Sequence, residues 1–229
     1  MEWASTIFPI ESHIEPSEFV ERFWRTRGVP EKAMLSVAIP HWQIVVVKNQ
    51  RGPTSVFVRG PESRASIVAI PQDADFFGIE FKIGTFLPAV PVAALVDVGR
   101  ELEAASKTKI NLASSSWEIP RFDNAADFVA RLAKRGALVR DPVVEQTLRR
   151  KPVAITERSV QRRFLRATGL TYGTVRQIER AERAVALLTA GISIADAVEV
   201  AGYSDQAHMT RSLQRFTGKT PGKLVSDQS

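Results

Sequence analysis

Between Glu157 and Thr168 the chain places Arg158, Ser159, Gln161, Arg162, Arg163 and Arg166, and between Gln206 and Phe216 it places Gln206, Ala207, His208, Thr210, Arg211, Gln214 and Arg215. These are residue types that read a duplex. A guanidinium pairs with guanine O6 and N7, a carboxamide with adenine N6 and N7, and a small or methyl-bearing side chain touches the thymine methyl. Arginines further along a reading helix hold phosphate, which positions the protein without reading sequence. Arg158, Arg162 and Arg166 recur every four residues and so stack on one side of a helix, with Glu157 the one acid beside them. A solvated helix face ordinarily mixes signs, whereas a row of one sign repels itself and a phosphate backbone relieves the repulsion. The candidate DNA-binding residues are Arg158, Ser159, Gln161, Arg162 and Arg166 from the first cluster and Gln206, Ala207, His208, Thr210, Arg211 and Arg215 from the second.

Both clusters need rigid carriers. Over Glu157–Thr168, Val160, Phe164 and Ala167 share a face, Thr156 is placed to cap the helix and Gly169 to end it. Tyr172–Ala190 predicts a longer helix with Val175, Ile178, Ala181, Val185 and Leu188 inward, ended by Gly191. Ser193–Val200 opens with Ser193-x-x-Asp196, a carboxylate version of the capping box. Gly202 supplies the turn, Ser204 or Asp205 caps the next helix, and Met209, Leu213 and Phe216 are its inward stripe. Ala195, Ala197 and Ala201 are small enough for close helix approach. Two helix-turn-helix units on one long helix result. The first is short: Pro142–Arg149 makes a brief helix, and Pro152 with the β-branched Val153 and Ile155 argues against a full helix over 149–155. Val153 and Ile155 are expected to plug the gap.

The first half reads differently. Met34–Ile39, Gln43–Val47, Thr54–Val58, Ser66–Ile70 and Phe76–Phe81 are short apolar runs, punctuated by Pro40, Gly52-Pro53, Gly60-Pro61, Pro71 with Asp73, and Gly84. Strands spaced by about ten residues suggest a small barrel or sandwich. Val92–Ala105 and Asn124–Arg135 then predict packing helices, with a dimer seam as a second use. The expected fold class is α+β: a small β-barrel domain with packing helices over residues 1–140, and an all-α domain over 141–229.

Composition bounds the function. The net charge of +6 is uneven: residues 1–140 carry 17 Lys/Arg against 16 Asp/Glu, and 141–229 carry 14 against 9. The excess lies in the tail, which favours a polyanionic partner there. The chain has no cysteine, so disulfides, thiolate metal sites and a cysteine nucleophile are excluded. No Gly-x-Ser-x-Gly elbow occurs, and an enzyme is not expected. The start is acidic without a continuous apolar stretch, and no long apolar run follows, so the expectation is a cytoplasmic chain without membrane contact. His13 and His41 stand far apart with no clustered carboxylates, so neither metal nor cofactor is expected. Trp3, Trp24, Trp42 and Trp117 all lie in the first half. They read as packing residues, or as the lining of an effector pocket in which Arg59 or Lys82 would hold an anionic end.

The tail resembles the AraC/XylS family of transcription regulators. The resemblance is carried by S-V-Q-R-R-F-L-R-A-T-G (Ser159 to Gly169), R-A-E-R-A-V-A-L-L (Arg180 to Leu188), I-A-D-A-V-E-V-A-G-Y (Ile194 to Tyr203) and F-T-G-K-T-P (Phe216 to Pro221), about a third of the chain. It implies two helix-turn-helix units, each inserting its second helix into adjacent major-groove segments of double-stranded DNA. The first-half strands, with Gly78–Gly84 before the helical region, resemble the cupin-like domain found upstream of such tails. That implies a sensory or dimerisation role, with a small-molecule effector and a homodimer as partners. The alternative is a ligand-binding or protein-interaction module whose tail has lost specific DNA reading.

Overall fold

The computed structural model describes residues 11–14, 17–29, 33–50, 52–71 and 73–227. Its strands are β1 (Glu11–His13), β2 (Val20–Val29), β3 (Ala33–Ser36), β4 (Gln43–Asn49), β5 (Thr54–Arg59), β6 (Ser66–Ala69), β7 (Ala74–Phe81), β8 (Thr85–Phe86), β9 (Gly99–Glu101), β10 (Ala104–Ser106), β11 (Lys109–Leu112), β12 (Ser115–Glu118) and β13 (Val139–Arg140). Its α-helices are α1 (Ala125–Lys134), α2 (Pro142–Leu148), α3 (Glu157–Thr168), α4 (Tyr172–Thr189), α5 (Ile194–Ala201), α6 (Gln206–Thr217) and α7 (Pro221–Ser226). The chain is α+β, with a strand-rich first part and a helical tail.

Strand alternation builds the first part. An antiparallel sheet in the order β1-β2-β7-β4-β5-β9 registers Ile44 against Val58 and Ile79, and Val45 against Phe57 and Gly78. One face therefore carries Ile44, Val46, Val56, Val58, Phe77 and Ile79. The β10-β11-β12 ribbon and α1 cover it, with Trp117 edge-on to Phe128 at 6.2 Å. The opposite face carries Trp24, Val45, Val47, Phe57 and Phe76 and looks across a cavity at the β3-β6 ribbon. Trp42 stacks on Phe81 at 4.0 Å and donates from Nε1 to Thr85 O at 2.5 Å. Trp42 and Trp117 are thus packing residues and Trp24 lines the cavity; Trp3 lies outside the described residues.

Three expectations need correction. Val92–Ala105 is not a helix: a single 3₁₀ turn spans Val92–Leu95, Asp97 takes a left-handed backbone (φ 60°), and the chain continues as β9 and β10. Pairing of Gly99–Glu101 with β5 overrides the alanine-rich composition. The ten-residue β2 had no counterpart in the pattern, because register shifts at Val20/Arg22 and Thr26/Val29 destroy its two-residue period. Val153 and Ile155 do not plug the first unit: Ile155 is 41% exposed, and both line an open groove with Thr147 and Val160. Helix α2 fills that place, with Val144 fully buried in the tail core. The apolar face of α1 (Phe128, Val129, Leu132) is taken up by the first core.

The tail and the first part share contacts. The second core joins Val175, Ile178, Ala181 and Leu188 of α4 to Met209, Leu213 and Phe216 of α6, and also draws in Ala38, Phe86 and Val92 from the β region. At this junction, burial lifts the Glu182 carboxyl on α4 to about 7, with the His41 and Arg22 charges opposing and the Glu179 and Glu80 charges adding to the rise. Folded protein therefore keeps a proton that the unfolded chain releases near 4.5. This contribution weakens stability as pH rises between those values. Glu182→Gln is expected to stabilise the protein by about 2 kcal/mol at pH 8 and to change little near pH 4.5, as urea titrations at the two pH values would measure.

Candidate nucleic-acid interface

The second unit is α5, the Gly202 turn (φ 77°) and α6. Ser193 Oγ accepts the Asp196 N–H at 3.1 Å to cap α5, and Asp205 Oδ1 accepts the His208 N–H at 2.7 Å to cap α6. Tyr203 is buried between the helices, its hydroxyl 2.9 Å from Ser212 Oγ and its ring edge-on to His208 at 5.1 Å. His208 Nδ1 also lies 3.1 Å from Ser204 Oγ, so the imidazole is held at the start of α6. With Met209, Leu213 and Phe216 turned inward, α6 exposes Gln206, Ala207, Arg211, Gln214 and Arg215, and leaves Thr210 half-buried with its hydroxyl on Gln206 O at 2.8 Å. Arg211 makes no hydrogen bond or ion pair among the described residues.

The first unit is α2 and α3. Asp141 caps α2 by accepting the Val143 N–H at 2.9 Å, and Thr156 caps α3 by accepting the Ser159 N–H at 3.3 Å. Ser159 Oγ also accepts from Thr156 Oγ1 at 3.0 Å, and Gln161 Nε2 donates to Glu157 Oε1 at 3.2 Å. Arg158 and Arg162 are exposed and unpaired among the described residues. Arg163, next to the row, donates two hydrogen bonds to Asp141 at 2.9 and 3.0 Å, and that carboxylate raises its guanidinium pKa further. Arg166 lies over the Phe86 ring at 5.6 Å. Leu165, 44% exposed, extends the outward face one turn beyond Gln161. It and Gln214 were not among the candidates. The signal for Leu165 was an apolar residue standing outside the Val160/Phe164/Ala167 stripe.

Helices α3 and α6 end in the same way. Thr168-Gly169-Leu170-Thr171 closes α3 and Thr217-Gly218-Lys219-Thr220 closes α6. Each first threonine hydroxyl bonds back four residues, to Phe164 O at 2.9 Å or Leu213 O at 2.7 Å, and accepts the N–H two residues on at 3.1 Å. Each second threonine caps the following helix, α4 or α7. Both glycines are left-handed, at φ 74° and 73°, and both press on the β region. Gly169 abuts Val92 and Val96, while Gly218 abuts Leu35 and Ala65. Two further bonds hold α6: the Ala38 N–H donates to Phe216 O at 2.7 Å and the Ala65 N–H to Arg215 O at 2.8 Å. Carbonyls at a helix C-terminus have no partner within the helix, so these bonds satisfy them and anchor its end.

This arrangement agrees with the match of residues 151–226 to a family described as a helix-turn-helix domain. Residues 151–226 form an AraC-type helix-turn-helix domain. Two of the chain's curated relatives are HTH-type transcriptional regulators named RipA. The one from Corynebacterium glutamicum is 31% identical over 74 residues, 32% of this chain and 22% of that protein. The one from Corynebacterium diphtheriae is 33% identical over 72 residues, 31% and 22%. The chain thus spans about a fifth of the length of the curated relatives it matches. Among solved structures, ToxT from Vibrio cholerae gives a TM-score of 0.42 at 7% identity, covering 95% of this chain and 98% of that one. ToxT bound to (E)-4-(8-methylnaphthalen-1-yl)but-3-enoic acid gives 0.42 at 8%, covering 96% and 99%. Both are too distant to carry residue roles across. Among the described residues no helix is long and apolar enough to cross a membrane, and no group of three His, Cys, Asp or Glu could hold a metal.

Proposed function

We propose that the chain is a sequence-specific DNA-binding transcription regulator. Its boundary falls near Arg140, with residues 1–140 sensory or dimerising and 141–229 DNA-binding, and α3 and α6 enter adjacent major-groove segments. The carrying observation is the AraC-type domain with two reading helices, alike in their endings, mounted beside one long helix with Arg158, Arg162 and Arg211 outward and unpaired among the described residues. A major groove recurs every turn, roughly 34 Å along the duplex, and two reading helices on one frame suit that repeat. Gln206, Ala207, His208, Thr210 and Arg211 sit in the first half of α6, where bases are reached, and Arg215 near its end, where phosphate is held. On α3, Arg158, Ser159, Gln161, Arg162 and Arg166 are the corresponding set, joined by Leu165 as a thymine-methyl contact.

Selection of bound fragments from sheared genomic DNA, followed by footprinting, tests the reading. Protection over about two helical turns per monomer is expected. Arg211→Ala should relax base preference at one position by about 1–3 kcal/mol, while Arg215→Ala should weaken all sequences alike. Unchanged operator affinity in both variants at moderate salt would sink the assignment.

A further inference from the structure

The cavity of about 430 Å³ under the β3-β6 ribbon belongs to the β region, and none of its lining residues lies in α3 or α6. Its floor is Val45, Val47, Phe57 and Phe76 and its roof includes Met34 and Val68. That size and lining suit a small molecule. Its charges are already balanced. Arg22 pairs with Glu80 at 3.0 Å and Arg59 with Glu62 at 2.6 Å, while Asp97 at the mouth accepts from Ser63 N and Oγ at 2.6 and 2.7 Å. Lys82 donates to Ser17 O and is not in the lining, so the anion clamp of Arg59 or Lys82 read from the sequence is not what the site offers. An added anion would meet Glu62 and Asp97, and an added cation would meet two arginines. Among the described residues, the buried lining atom Thr26 Oγ1, on a residue 6% exposed, lacks a partner. A buried hydroxyl left this way is destabilising, and a ligand carbonyl accepting from Thr26 Oγ1, or a ligand hydroxyl bonded to it, removes that cost.

The roof is also mechanically continuous with α6. Leu35 lines the cavity and abuts Gly218 at the end of α6. Ala38 and Ala65, which donate to Phe216 O and Arg215 O, lie two residues after β3 and one before β6. Against α3 the β region offers Phe86, Val92 and Val96, none of which lines the cavity.

We propose that this cavity binds a neutral, largely apolar small molecule bearing a hydroxyl or carbonyl group, and that its occupancy moves the β3-β6 ribbon and with it the C-terminal end of α6. The coupling half rests on the tail being a DNA reader; the binding half does not.

The full chain is titrated with prodan, a neutral naphthyl ketone, and with 1-anilinonaphthalene-8-sulfonate, an anion of similar size. Saturable one-to-one prodan binding with a blue-shifted emission is expected, and at least tenfold weaker binding of the sulfonate. Val45→Trp fills the cavity from its floor and should abolish prodan binding; Val68→Trp fills it from the roof and serves if the first variant does not fold. Thr26→Val should weaken prodan about threefold to tenfold. Equal or tighter binding of the sulfonate, or prodan binding untouched in a folded filling variant, overturns the site. Operator affinity is then measured with and without saturating prodan. A change of threefold or more, absent in the filled variant, supports the coupling, and no change overturns it while leaving the site standing. If the wild-type chain binds no duplex, the regulator reading and the coupling fail together, and the prodan result still decides the site.

Discussion

Replacing Arg158 and Arg162 together by alanine is expected to weaken operator binding about 30-fold at 0.15 M salt and to flatten the slope of log affinity against log salt by about 2. Each phosphate contact contributes roughly 0.9 to that slope, which at this salt corresponds to about a fivefold to sixfold change in affinity. Two contacts multiply to the stated loss. Both side chains are exposed and without a protein partner among the described residues, so no internal bond offsets the effect and folding stability should stay within about 0.5 kcal/mol. Arg163→Ala is the control that separates duplex contact from scaffold. Its guanidinium already faces Asp141, whose side chain is 10% exposed. Losing it leaves that carboxylate short of two hydrogen bonds, so the denaturant midpoint should fall while the salt slope stays nearly constant. Affinity titrations from 50 to 300 mM salt, alongside denaturant melts, measure both. A double variant with an unaltered slope would show that α3 does not touch phosphate.

The second large effect concerns the two look-alike helix endings. Gly169→Ala should cost about 2–3 kcal/mol and Gly218→Ala about 1–2 kcal/mol, although both glycines occupy the same left-handed conformation and pay a similar backbone penalty of about 1 kcal/mol. The difference lies in what each added methyl meets. At Gly169 it would approach Val92 O at 3.1 Å and Val96 Cγ2 at 2.9 Å, and the carbonyl cannot swing aside. At Gly218 it would meet the ends of the Leu35 side chain at 3.0 and 3.4 Å, which can rotate away. Urea melts of the two variants measure the ordering. Equal losses would mean that the β region does not press on α3, and that the observed seating of the tail is absent in solution.

Much of the tail was legible in its sequence. Thr156, Ser193 and Asp205 cap the helices they were expected to cap, Gly169 and Gly202 end theirs, and the inward stripe of α4 is the predicted one with Ala184 added. All of this depends on bonds spanning three or four residues. The β region was less legible. Five of its strands were found as short apolar runs between turn residues, but β2 was hidden by its bulges and Val92–Ala105 read as helix from composition. One clue to the cavity was present and unused. Ile44–Val47 is continuously apolar, the pattern of a strand covered on both faces, whereas β5 alternates. The first face found a packed core; the second found a hollow.

The chain by itself determined where the reading helices begin and end and which residue types they turn outward, because helix capping and helical period are local. Which of those arginines remain available to a phosphate was decided only by the tertiary structure. Arg163 is held by a carboxylate 22 residues away, Arg166 leans over Phe86, and Arg158 and Arg162 are left outward. The anchoring of α6 by the Ala38 and Ala65 amides has no sequence signature either, since every residue but proline carries such a donor. Local bonds shape an element; only the meeting of distant segments determines what that element has left to bind.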